Sequence, residues 1–115
     1  MLCKVSETYD GLKNLEIEVN LPFYSKHSGE FSKDSSVITY VKCDSSGTSE
    51  LHLVYPNSDT NTIIEISMVK RSFDEDEIGC EFHSKEFHIS KQEYLTAQGK
   101  AIQFINKQTD DKTDV

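Results

Sequence analysis

"VITYVKCDSSGTSELHLVY", residues 37 to 55, sets two runs rich in β-branched and aromatic residues around a short polar break. Pairing Val41 with Leu51 and Val37 with Tyr55 keeps apolar residues on one shared face across that break. The stretch therefore reads as an antiparallel hairpin with a defined register. A hairpin at the centre of the chain makes the fold a question of what pairs on either side of it.

Upstream, "NLEIEVNL", residues 14–21, alternates Leu15, Ile17, Val19 and Leu21 with Asn14, Glu16, Glu18 and Asn20. Period 2 is the mark of a strand with one wet face. Pro22 ends that ladder, and "YSKHSGEFSKDSS", residues 24–36, reads as a polar loop turning at Ser28-Gly29. Downstream of the turn "PNSDTN", the run "TIIEISMVK" places Ile64, Ile66 and Met68 on one side and Ile63, Glu65 and Ser67 on the other. The mixed second side predicts a strand partly covered on both faces.

"RSFDEDE", residues 71–77, follows, and its four carboxylates read as the loop of a further hairpin whose next strand starts near Ile78. Gly79 then marks a bulge, and "GCEFHSKEFHIS" reads as two short strands about Ser84-Lys85, with Phe82 opposite Phe87 and Glu81 facing His88. After this the period changes. Ser90 stands three residues before Glu93 as a capping box, predicting a helix from about Lys91 to Asn106. Tyr94, Leu95, Ala101, Ile102 and Ile105 share one face of it, with Ala97 and Phe104 at the margin. Gln98 interrupts that face, and Gly99 costs about 1 kcal/mol relative to Ala.

The expectation is an α+β fold: a mainly antiparallel twisted sheet or half-open barrel of six to seven strands, followed by one C-terminal helix packed on it. Residues 1–107 form a single globular domain, and residues 108–115, "QTDDKTDV", form a disordered acidic tail with almost nothing to bury. The order of elements, strands and then a terminal helix, resembles that of the pleckstrin-homology-like fold. That resemblance lies in element order alone, and the basic strand loops that bind phosphoinositides in that family have no counterpart in this sequence.

Composition narrows the function classes. The chain has 115 residues, 36% hydrophobic and 28% charged, which suits one core. Twenty Asp and Glu against twelve Lys and Arg give a formal charge of −8, and no Lys/Arg run forms a phosphate footprint. Nucleic acid and membrane are therefore excluded as expected partners, and a basic protein is favoured. The opening "MLCKVSETYD" lacks a signal-peptide core, and no window reaches the length of a membrane span, so a cytoplasmic location is expected. Cys3, Cys43 and Cys80 form no CxxC pair, and reduced thiols are expected, with Cys43 and Cys80 buried.

No motif for catalysis, metal or nucleotide emerges. Asp74 to Glu77 lack the staggered ligands, glycine and distal Glu of a calcium loop. A hairpin tip is also a poor place to desolvate a catalytic carboxylate pair. On a strand, Cys80 and His83 point to opposite faces and cannot share an ion, and an inward Cys80 is an inert thiol. No catalytic residue, cofactor or metal is expected, and the chain reads as a binding protein rather than an enzyme.

The specific expectation is a protein inhibitor of immunity or antitoxin type that covers the basic active site of a toxin, a nuclease in particular. Asp74, Glu75, Asp76, Glu77 and Glu81 carry that contact, with Glu16 and Glu18 as a second patch. Three other readings stand beside it. One is a ligand- or lipid-binding β-barrel module using a cavity between sheet and helix near Gln98 and Phe104. Another is a small enzyme gathering Glu81, His83 and His88, and the third is a subunit or adaptor of a larger assembly.

Overall fold

The computed structural model of the chain describes residues 2–6 and 14–113; side chains at 4–6, 14–16 and 109–113 fall outside that description. The central hairpin is present as β4 (Ser35–Asp44) and β5 (Gly47–Pro56). Its turn is only Ser45-Ser46, because Asp44 opposes Gly47 directly. The Asp44 carboxylate accepts hydrogen bonds from the Ser46 amide at 2.8 Å and the Ser46 hydroxyl at 2.6 Å, and these hold its pKa below the usual carboxylate value. Gly47 has φ +136°, and a Cβ there would meet the Arg71 carbonyl oxygen at 2.0 Å, so only glycine fits.

This tight turn shifts the register by one residue from the expected pairing. Val41 lies opposite Glu50, and Leu51 lies opposite Tyr40. A one-residue slip exchanges faces: Leu51 and Leu53 join Tyr40 and Ile38 on one side of the sheet, and Glu50 and His52 join Val41 and Thr39 on the other.

Before this hairpin, β3 (Phe23–Ser32) pairs antiparallel with β4 along its length. Residues 24–36 are therefore mostly strand rather than loop, and the chain reverses at Lys33-Asp34 instead of Ser28-Gly29. The reading failed because both faces of β3 are wet beyond His27, so its polar composition mimics a loop. After the hairpin, β6 (Glu65–Ser72) adds to β5, and the short β7 (His88–Ile89) adds to β3. The five-stranded order is β6-β5-β4-β3-β7, antiparallel and open at both edges. β1 (Leu2–Ser6) and β2 (Asn14–Glu18) form a separate two-stranded sheet. Seven strands among the described residues and one long C-terminal helix give the α+β architecture expected, without barrel closure.

The acid run is not a hairpin loop. Asp74 caps helix α1 (Glu75–His83), its carboxylate accepting from the amides of Asp76 at 3.0 Å and Glu77 at 3.2 Å. Glu75, Asp76 and Glu77 fill the first turn, where the helix dipole favours negative charge. Ile78 and Phe82, four residues apart, point the same way as helix neighbours do, and Ile78 is fully buried. Cys80 separates the two readings: a strand would turn it inward with Ile78, whereas the helix leaves it exposed. Gly79 is buried inside α1 rather than at a bulge. The expected facing of Phe82 with Phe87 and of Glu81 with His88 is replaced by a 3₁₀ turn at Lys85–Phe87 that leads into β7.

Helix α2 (Lys91–Thr113) begins as expected: the Ser90 hydroxyl accepts from the Glu93 amide at 3.1 Å. The Glu93 carboxylate reaches Lys26 at 3.3 Å, so α2 is tied to β3 by its first turn. The helix runs to Thr113 instead of ending near Asn106. Its buried face is Tyr94, Ala97 and Ala101, while Leu95, Ile102 and Ile105 remain exposed. The small side chains let the helix approach the sheet, which places Ala97 at the centre of the contact rather than its margin.

In antiparallel ladders, opposed residues share a face, so the sheet sorts into two sides. Tyr24, Tyr40, Leu51, Leu53 and Tyr55 pack beneath α2. On the other side Phe23, Val41 and Cys43 pack with Ile78 of α1, with Cys3 of β1 and with Val19, which follows β2. No helix among the described residues is long and apolar enough to cross a membrane.

Candidate functional site

The side of the sheet that carries α1 is apolar at its two ends, at Phe23 and Cys43 and at Val37 and the buried Val54, and polar between them. Beyond Phe23 and Cys43 its next rows are Ser25, Val41, Glu50 and then His27, Thr39, His52. Period 2 drives this: in β5 the same alternation that sends Leu51 and Leu53 under α2 sends Glu50 and His52 to the opposite side. Glu77 and Glu81, one turn apart on α1, overhang these rows, and Arg71 closes the β6 side. Together they border a cavity of about 230 Å³.

Every charged group at this cavity has a partner. The Arg71 guanidinium bonds the Glu77 carboxylate at 2.8 Å and also contacts Glu50. Those two acceptors, Glu77 first, push the guanidinium pKa above its ordinary value. Glu50 also lies 3.3 Å from His52 Nε2, and His52 Nδ1 is 3.1 Å from the Thr39 hydroxyl. On the other wall, Glu81 accepts from the fully buried Ser25 hydroxyl and lies 2.5 Å from His27 Nε2. The His27 ring rests on Phe87, with centroids 4.5 Å apart. Three carboxylates thus converge with one guanidinium and two imidazoles.

Three carboxylates against one guanidinium give the cavity an excess of acidic groups. Nucleophilic catalysis needs a hydroxyl that hands its proton to a histidine oriented by a third group. Here Ser25 and His27 both address one oxygen of Glu81, which clamps α1 to β3. His88, expected near Glu81, instead lies between Phe23 and Phe82, at 5.3 Å from each ring, with its Nε2 buried and unbonded. His83 is exposed, so Glu81, His83 and His88 do not gather. Among the described residues no group of three or more His, Cys, Asp or Glu is arranged to hold a metal ion.

The expected contact residues are therefore divided. Glu77 and Glu81 face the cavity, Asp74 is engaged in capping, and Glu75 and Asp76 are exposed at the tip of α1. Glu18 is exposed at the end of β2, and Glu16 pairs through its backbone with Lys4 while its side chain lies outside the described residues. Glu50, Arg71 and Thr39 were not singled out from sequence. Only the Glu50-Leu51-His52-Leu53 alternation signalled that β5 carries a charged side. Cys43 is buried as expected, and burial pushes its thiol up to about 12. The expected space beside α2 also exists, bordered by Gln98 but without Phe104 in its lining.

No protein-family model matches this chain, and neither does any curated protein or solved structure.

Proposed function

We propose that this is a small acidic binding protein of the inhibitor type, without catalysis of its own, that covers the basic active site of a toxin, a nuclease in particular. The observation that carries the reading is the convergence of Glu50, Glu77 and Glu81 around a single guanidinium in an open cavity, on a chain of formal charge −8. A nuclease site built for phosphate is basic, and carboxylates held on β5 and on α1 above it offer it a fixed negative counterpart. Glu75 and Asp76 extend the negative surface beyond the cavity, where they act on encounter rather than on the docked contact. Cytoplasmic location belongs to the same proposal, since such an inhibitor meets its toxin inside the producing cell.

The test is capture from the native host's lysate at low and raised salt, followed by an activity assay of the captured protein with and without the inhibitor. A basic partner is expected whose own activity is blocked. A Glu75→Lys/Asp76→Lys double variant, which leaves Asp74 and Glu77 in place, is expected to slow association roughly tenfold and flatten its salt dependence. A partner that stays fully active when bound, or an association rate unchanged by the double variant, overturns the proposal.

A further inference from the structure

The opposite side of the sheet holds a second cavity whose chemistry is different. α2 lies over β3 and β4 and over Leu51, Leu53 and Tyr55 of β5, and of the β5–β6 hairpin it leaves the outer strand, β6, exposed on that side. The space between the helix and that hairpin is about 360 Å³, within the range of small-molecule sites. Its floor is Leu51 and Met68, its helix wall is Ala101, Ile102 and Ile105, and Tyr94 stands at its inner end. Met68 is 69% exposed and Ile102 is 52% exposed, although both border a buried cluster.

The charge is arranged along the strands. Lys42, Ser49 and Lys70 occupy one cross-strand row on this side, and Tyr40, Leu51 and Met68 occupy the next. Neighbouring strands lie about 4.8 Å apart, so two ammonium groups flank a hydroxyl at one end of an apolar trough. Lys42 shares its charge with Asp44 at 3.7 Å, and Lys70 makes no ion pair among the described residues. In a chain with eight more acids than bases, that end of the groove is locally basic.

We infer that this groove binds an anionic amphiphile, an unbranched fatty-acid-like chain whose carboxylate sits on the Lys42-Ser49-Lys70 row and whose tail lies on Leu51 and Met68 beneath Ile102. Charge complementarity selects this occupant over a second copy, which would bring the same two lysines and another net charge of −8 to the interface. The site is on the far side of the sheet from the carboxylate cavity, and it stands or falls independently of the inhibitor reading.

The test titrates the full chain with decanoate, decanol and acetate, following backbone amide and methyl NMR shifts below the micelle range. Decanoate is expected to saturate, with shifts confined to the lysine row, Met68 and the middle of α2. Decanol is expected to bind at least threefold more weakly, and acetate not to saturate. Lys70→Gln is expected to weaken decanoate roughly threefold to fivefold, the size of a partly exposed charge contact. Ile102→Glu, at an exposed position that leaves the core intact, is expected to abolish saturation. Equal affinity for decanol and decanoate, or decanoate shifts outside the groove, overturns the inference. So does a concentration-dependent dimer that Met68→Asp dissociates, because the groove then belongs to a second copy.

Discussion

The two sides of the five-stranded sheet are built from the same strands and behave as different materials. Beneath α2, Tyr24, Tyr40, Leu51, Leu53 and Tyr55 meet Tyr94, Ala97 and Ala101 in an aromatic and aliphatic layer. On the α1 side, the apolar layer is broken after Val41 and Cys43 by His27, Thr39, Glu50 and His52, before Val37 and Val54 resume it. What separates them is the partner: α2 offers alanines and a tyrosine, whereas α1 offers Ile78 and Phe82 on one turn and Glu77 and Glu81 beside them. Both sides therefore hold a buried cluster, and the charged groups are gathered on one of them.

The sharpest way to break this contrast is to open the dry side. Leu53 is fully buried at the centre of the α2 layer, and Leu53→Ala is expected to cost about 2–5 kcal/mol through lost transfer energy and a cavity. Urea unfolding that shows a loss below ~1 kcal/mol would mean that α2 does not hold this layer closed.

The wet side should yield less. Glu81→Ala removes the acceptor of the buried Ser25 hydroxyl and is expected to cost about 1–3 kcal/mol. A double-mutant cycle with Ser25→Ala sharpens this, because removing both partners should recover most of the loss. Simple additivity of the two substitutions would deny that Glu81 clamps α1 to β3.

A third test uses the thiols, all of which lie on the α1 side and report how that side is sealed. At neutral pH a thiol reagent should modify Cys80 rapidly and reach Cys3 and Cys43 only on unfolding. Burial, opposed by a contact with Thr48, raises Cys43 from 9.0 to about 12. Between those values the unfolded chain has released a proton that the folded chain still holds, so stability falls as pH rises through the window. Cys43→Val should flatten that fall; an unchanged alkaline profile would assign it to other groups.

These contrasts were unevenly legible. The capping box at Ser90 and the change to period 3.6 announced α2 because both signals are local and helix backbone bonds are satisfied within the segment. α1 hid itself: Ile78 and Phe82 fit a helix by spacing four and a strand by spacing two, and only the position of Cys80 distinguishes them. Read as a capping residue, Asp74 would have tipped the balance, since its oxygen serves two amides of the first turn. The carboxylate cavity was less legible still, because Glu50 and Glu81 are far apart in sequence and meet only when α1 folds back over the sheet.

By itself, then, the sequence determined the kind of β2, β4, β5, β6 and α2 and the two-sidedness of β2, β5 and α2, though not the kind of β3 or α1. Alternation in β2 and β5, the apolar stripe of α2 and the net acidity are properties of residues and their spacing. The tertiary structure alone decided which residue opposes which. The Ser45-Ser46 turn and the left-handed Gly47 shifted the hairpin by one residue, and that shift put Val41 opposite Glu50 and Leu51 opposite Tyr40. Register is a relation between strands, set by a turn whose length composition does not reveal, and the contents of both cavities follow from it.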